Sequence, residues 1–534
     1  MTYKAKASFA AALASASAAL AQIPNVTISS QTSYIEPSAA GWSATPLITV
    51  GDTVGGYSMV GIPDGLGAYS SGGTVTILMN HELGAALGST RAHGSTGAFV
   101  SEWTLDKNTL AITSGKDLVQ SSGNVFTWNG TGFVSGTTAF NRLCSADLPS
   151  LSAFYNSGSS LGYNGRIFMN GEESGSEGRA FAFVATGDAA GRAYQLPDLG
   201  RFSWENSVAN PLSGNKTVVV GTDDSTPGQV YVYIGDKKTT GSGSAIEQAG
   251  LTGGALYGIK VTNGGANYTN GSVPLENAGA INGNFVLEPV SANTANTSNP
   301  GATLQTASNA AGITNFARPE DAQWLDGDTL LFVTTGADPD AGGAATHQSS
   351  KLYRLDFSPD FTSGTVSMVL DRTQLDLTGF PANTAMFDNM TVGTDGMIYI
   401  QEDPGNNNYI ARVWQIDLNN PAGAIQIFES DRDRFANPVT APFTIDEEHS
   451  GIIDVTHLFN GDEGDVASWY EPGMKLFLAD TQAHYANGVS LVEGGQLQLL
   501  AFSPSAIPEP SSFAALAGLA GLGLAAGRRR RRQP

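Results

Sequence analysis

In the stretch FARPEDAQW, residues 316–324, Arg318, Glu320 and Asp321 crowd around Pro319 between aromatic residues. Two acids and a guanidinium at that spacing either satisfy one another in a turn or hold a metal and a phosphate. Further polar clusters recur along the chain: Asn80-His81-Glu82, Glu172-Glu173 with Glu177 nearby, Asp388-Asn389, Glu402-Asp403, and Asp480, Gln482 and His484. Hard oxygen donors of this kind suit Ca²⁺, which accepts roughly six to eight oxygens in flexible geometry. No zinc motif, EF-hand loop or Walker loop occurs, and the one Gly-x-Ser-x-Gly match, Gly158 to Gly162, lies in a Ser/Gly-rich stretch that reads as a turn and not as a nucleophile elbow. Among enzyme classes that leaves metal-assisted hydrolysis. Neighbouring residues of a strand point to opposite faces, so at most one of each acidic pair reaches a common site unless the strand bends. If the acids do meet, cations must accompany them, because uncompensated carboxylates repel one another.

Six segments share a turn residue, an apolar β-rich run and a polar end. They are GTVTILMNHELG from Gly73, GRIFMNGEESG from Gly165, GQVYVYIGDK from Gly228, DTLLFVTTGADPD from Asp328, GMIYIQEDPG from Gly396 and GMKLFLADTQAH from Gly473. Runs of this length bounded by Gly and Asp read as buried strands. Set side by side around an axis as the inner strands of six blades, they would bring their polar ends to one face. The expected fold is therefore all-β, a six-bladed β-propeller with long loop insertions. Polar stretches such as NGGANYTNGS and the run from Ala292 to Gly312 read as surface loops.

The chain has 534 residues, 65 of them Gly, and only 14% charged residues, which favours short strands and turns over charge-laced helices. Acids outnumber bases 49 to 27, for a net charge of −22. Such a surface repels nucleic acid and anionic membrane and suits cations. Residues 1–21 carry Lys4 and Lys6, then an uncharged Ala-rich run ending Ala19-Leu20-Ala21, the pattern of a secretory signal. The C-terminal segment, residues 507–534, runs Pro508-Glu509-Pro510, an uncharged stretch from Ser511 to Gly527, then Arg528 to Arg532. It resembles the PEP-CTERM sorting signal. That likeness implies sorting machinery as a partner, transient inner-membrane anchoring through this segment alone, and a periplasmic, surface or extracellular destination for residues 22–506. The lone Cys144 excludes an internal disulfide.

The order of Asn80-His81-Glu82, Gly171-Glu172-Glu173, Arg318-Pro319-Glu320-Asp321, Phe387-Asp388-Asn389 and Glu402-Asp403 resembles that of the PhoX-type alkaline phosphatases. So does the closing stretch from Ser450, and the likeness runs from about Gly73 to Leu500. It implies a six-bladed propeller holding several Ca²⁺ ions and a pair of Fe³⁺ ions, and hydrolysis of small phosphate esters outside the cytoplasm. By resemblance Arg318 contacts phosphate, and Glu320, Cys144 and Glu173 bind iron, with Glu172 beside them. Calcium ligands are expected among Glu82, Asp321, Asp388, Asn389, Glu402 and Asp403. The chain departs from the family's Asn-Cys-Ala-Gly-Gly segment, reading Leu143-Cys144-Ser145-Ala146-Asp147. Its signal has lysines in place of twin arginines, which implies metal loading outside the cytoplasm and leaves a calcium-only site open. Two rival readings stand beside the phosphatase: a non-catalytic, calcium-stabilised surface or matrix propeller, and a phytase-like or phosphodiester-cleaving esterase.

Overall fold

The computed structural model describes residues 23–24, 28–262, 281–291, 299–336, 349–375, 377, 386–405, 409–435 and 443–506. The signal segment up to residue 21 and the C-terminal sorting segment lie outside the described residues. Among the described residues six blades follow one another along the chain, antiparallel except where Ala193–Gln195 pairs in parallel with Val125–Trp128 in blade two. Their inner strands are Pro63–Ser71, Leu143–Asp147, Trp204–Ala209, Pro319–Trp324, Phe387–Val392 and Glu447–Asp454. Each packs against the next, and the sixth returns to the first, so the ring closes around an axis. Blades three and four are fused into one nine-stranded sheet, because Asn282–Val290 pairs with Ser363–Asp371.

The N-terminus completes the ring. Trp42–Thr49 pairs antiparallel with Gly494–Phe502 as the outermost strand of blade six, and Ile35–Pro37 extends blade five. Chain ends that interlock in this way seal an edge that would otherwise be open to other strands. Trp42 then packs on Tyr399, Phe428 and Phe477, where blades five and six meet. Between blades one and two the same role falls to Leu78, Phe140, Phe168 and Phe181. The apolar runs seen in the sequence are buried on both faces for this reason.

The propeller expectation holds, but the six apolar segments are not the inner strands. Five are the second strand of their blade: Thr74–His81, Ile167–Glu172, Thr329–Thr334, Ile398–Glu402 and Lys475–Ala483. The sixth, Val230–Asp236, is the third strand of its blade, behind Lys216–Asp223. Second strands lie in the thickest part of the molecule and are the most uniformly apolar. Inner strands face a polar axis on one side and so read as mixed sequence. The run from Ala292 to Gly312 also differs from expectation, since Pro300–Ala311 is an α-helix. Pro300 opens it, Gly312 closes it in the left-handed region at φ 77°, and the Glu177 carboxylate accepts the Gly301 and Ala302 N–H groups at its start.

Inner and second strands of neighbouring blades approach very closely. Gly171 leaves no room for a side chain, because a Cβ there would overlap Cβ of Trp204 on the next blade. Gly171→Val is expected to destabilise the fold by about 3 kcal/mol or more. Urea denaturation monitored by near-UV circular dichroism checks this, and an unchanged midpoint would show that the blades can part at no cost.

Candidate metal centre

All six inner strands carry a local irregularity, which falls at Gly65 in blade one and at Ser450-Gly451 in blade six. In blades two to five, two residues oppose a single residue of the partner strand: Cys144-Ser145, Glu205-Asn206, Glu320-Asp321 and Asp388-Asn389. This is a β-bulge, which re-aims side chains that regular pleating would send to opposite faces. In blades two to five the first residue of each pair turns to one end of the axis, where the candidate ligands gather. The second makes bonds around the axis. Asn206 donates to Asp321 Oδ1 (2.5 Å), Asp321 Oδ2 accepts Met390 N–H (2.9 Å), and Asn389 donates across the axis to Ser145 Oγ (2.7 Å). Ser145 in turn donates to Glu205 Oε1 at 2.5 Å, fixing that carboxylate.

The residues at this end meet in four triads: Asp64, Glu82 and Cys144; Cys144, Glu173 and Glu205; Glu205, Glu320 and Asp388; Asp388, Asp403 and Glu448. Within each triad the ligand atoms lie within 4.8 Å of one another. Cys144, Glu205 and Asp388 are shared, so the triads join into one row to which all six blades contribute. Cys144 Sγ lies 3.2 Å from Glu205 Oε2 and 3.5 Å from Asp64 Oδ2. The Gln482 amide bridges Asp64 and Glu82 at 3.0 and 3.1 Å, while its own Oε1 is buried without a partner.

Burial, followed by the charge of neighbouring acids, pushes Asp64, Glu173, Glu205, Glu320 and Asp388 well above the usual carboxylate range. Burial and Glu448 raise Asp403 to about 7. Burial and the surrounding acids likewise push the Cys144 thiol up. Three basic side chains sit among these acids. Arg142 pairs with Glu82 (2.7 Å) and Glu173, and Arg318 with Asp224 (2.7 Å) and Glu320 (3.2 Å). His484 pairs with Glu493 (2.6 Å) and lies 3.8 Å from Glu448; burial lowers its pKa, but the two acids outweigh that and lift it to about 11. Packed acids with an orphaned amide oxygen and few counter-charges form a donor set that fits cations. The oxygens suit Ca²⁺, and the single sulfur suits a softer ion such as iron.

Of the residues singled out in the sequence, the structure brings Glu82, Cys144, Glu173, Glu320, Asp388 and Asp403 into this row. It holds Arg318 at its edge. Four others lie elsewhere. Glu172 is clamped by Arg179 (2.7 Å to Nε) and accepts the Asn141 N–H. Asp321 and Asn389 are the axis-facing members of their bulges. Glu402 is buried behind the site, accepting from Trp414 Nε1 at 2.6 Å. His81 is buried too, stacked on Phe99 at 4.2 Å, and burial lowers its pKa to about 3.

Asp64, Glu205, Glu448 and Asp224 were not anticipated. A signal for Glu205 exists in the sequence. In blades two to five the bulges read Leu143-Cys144-Ser145-Ala146, Trp204-Glu205-Asn206-Ser207, Pro319-Glu320-Asp321-Ala322 and Phe387-Asp388-Asn389-Met390. An apolar residue, a ligand and a short polar residue recur four times in order.

Fold and site together define a six-bladed β-propeller with a row of candidate cation ligands across one end of its axis. Residues 176–435 match the family model described as Alkaline phosphatase PhoX. Among solved structures, Pseudomonas fluorescens PhoX in complex with vanadate, a transition state analogue, shares the fold. It has a TM-score of 0.52 and 12% sequence identity, covering 90% of this chain and 98% of that one. The catalytic domain of Coprinopsis cinerea GH62 alpha-L-arabinofuranosidase matches at a TM-score of 0.31 and 12% identity, over 87% of this chain and 98% of that one. No curated protein matches.

Proposed function

We propose that the chain is an exported, metal-dependent phosphatase that hydrolyses small phosphate esters at the row of triads. The observation that carries this reading is the convergence of buried ligand atoms from all six blades beside Arg318, a guanidinium held at the edge of the row. Asp64, Glu82, Cys144, Glu173, Glu205, Glu320, Asp388, Asp403 and Glu448 would hold the ions, several Ca²⁺ and a pair of Fe³⁺. Bound there, such ions supply positive charge to the phosphoryl oxygens and the leaving group and acidify water at neutral pH.

The chain's own groups supply position. Asp224 grips Arg318 through two bonds, at 2.7 and 3.2 Å, and so aims its remaining N–H groups at an incoming phosphoryl oxygen. Thr335 donates to Glu320 and holds that carboxylate in the row. Asn389 and Ser145 do the same for Glu205 from the axis side. Cys144 takes part as the thiolate, the form that ligates metal. After export, removal of the C-terminal segment would leave this propeller free of the membrane.

The test is expression of residues 22–506, elemental analysis and assay of p-nitrophenyl phosphate with and without chelator. Bound calcium and iron with turnover that chelator abolishes and added metal restores is the expected result. Calcium without turnover would support a structural propeller instead, and turnover indifferent to chelator would overturn the metal-dependent reading.

A further inference from the structure

Arg142 and Arg318 are built alike. Both are left-handed, at φ 50° and 53°, a conformation that disfavours any residue with a side chain. Both stand two positions before the ligand that begins an inner strand, Cys144 and Glu320. Arg142 N–H donates to Leu83 O of the preceding blade (3.0 Å), and its carbonyl accepts Glu173 N–H (2.8 Å). Arg318 N–H donates to Ser225 O of the preceding blade (3.0 Å), and its carbonyl accepts Thr335 N–H (3.2 Å). In each case the guanidinium spans an acid that immediately follows the preceding blade's second strand (Glu82 or Asp224) and an acid of its own blade (Glu173 or Glu320). The same backbone device in blade one carries Ile62, at φ 53°, with its carbonyl accepting Glu82 N–H at 2.8 Å. The device therefore does not itself require arginine. Blades two and four place one there, and the Arg142 side chain remains 49% exposed beside the row.

We propose that Arg142 is a second phosphoryl-binding side chain, gripping the same terminal phosphate as Arg318 from the other side of the cation row. The inference rests on the phosphatase reading. Both partners of Arg142, Glu82 and Glu173, belong to the triads. Cations that occupy those carboxylates release the guanidinium toward an anion, whereas Asp224, outside the triads, keeps hold of Arg318. Two guanidiniums fixed on separate blades match the several free oxygens of a terminal phosphoryl group, each making charge-assisted bonds.

The test uses metal-loaded protein and inorganic phosphate. Arg142→Asn removes the charge while tolerating a left-handed backbone, and Arg142→Lys keeps the charge but not the fork. Phosphate affinity is measured by calorimetry, KM and kcat for p-nitrophenyl phosphate by steady-state assay, and bound metal by elemental analysis. Arg142→Asn is expected to weaken phosphate binding and raise KM by roughly 10- to 100-fold with metal content unchanged, and Arg142→Lys to recover part of both. Unchanged phosphate affinity overturns the inference. So does loss of bound metal in Arg142→Asn, which would show that the guanidinium only balances Glu82 and Glu173. A wild-type protein that binds phosphate through Arg142 yet shows no turnover would instead sink the phosphatase reading and leave this one standing.

Discussion

Arg318→Ala is expected to lower kcat/KM for p-nitrophenyl phosphate by roughly 10²- to 10³-fold, the cost of removing one preorganised donor from a developing anion. The loss should fall on kcat as well as KM, because Arg318 is rigid before substrate arrives. Its backbone is pinned at both N–H and carbonyl, and Asp224 fixes the plane of the guanidinium. Little reorganisation is then left for the moment of reaction. Arg318→Lys should recover less than a tenth of the lost activity, since an ammonium cannot keep two bonds to Asp224 and also reach the phosphoryl group. Steady-state kinetics paired with elemental analysis separates this role from a structural one. Activity falling with full metal content supports the grip. Activity falling in proportion to lost metal would assign Arg318 to balancing Glu320.

The architecture was more legible in the sequence than the detail of its centre. Apolar runs such as Thr74–His81 and Lys475–Ala483 mark second strands in five of six blades, sandwiched on both faces, and their recurrence implies a ring. The acids that follow such runs, Glu82, Glu173 and Asp403, were visible because a long apolar run points at them. Asp64, Glu205 and Glu448 instead lie at the starts of inner strands, where one flank faces the polar axis and the other a neighbouring blade. No local hydrophobic pattern announces those positions. Pairwise reading also could not say which of Glu320-Asp321 or Asp388-Asn389 serves the row, because a bulge depends on the strand opposite. Glu172 and Glu402 illustrate the converse: each adjoins an acid in the row, yet regular pleating turns it behind the site, where Arg179 clamps Glu172 and Trp414 bonds one oxygen of Glu402.

Stripped of metal, the protein should become less stable as pH rises from 5 to 8, the reverse of ordinary acid denaturation. Burial raises Glu402 to about 7 and Glu447 to about 8; burial and Glu448 raise Asp403 to about 7. Asp64, Glu173, Glu205, Glu320 and Asp388 are shifted in the same direction. In the unfolded chain all of them titrate near pH 4. For an acid whose folded pKa is raised, the stabilising contribution is complete below the unfolded value and is lost as pH climbs through the folded one. Across this window the native state therefore binds more protons than the unfolded state, and stability falls by about 1.4 kcal/mol per pH unit for each proton of excess. Two such protons over three pH units would lower the melting temperature by roughly 10 °C in a chain of this size. Calorimetric scans of chelated protein at pH 5 and 8 measure it, and a flat profile would mean that the acids do not share one desolvated row. Metal should invert the trend. Cations bind the ionised carboxylates, so loading at neutral pH must expel protons, and the metal-dependent gain in melting temperature must widen with pH. The acidity that makes the empty row unstable at alkaline pH is thus the property that would bind its ions most tightly there.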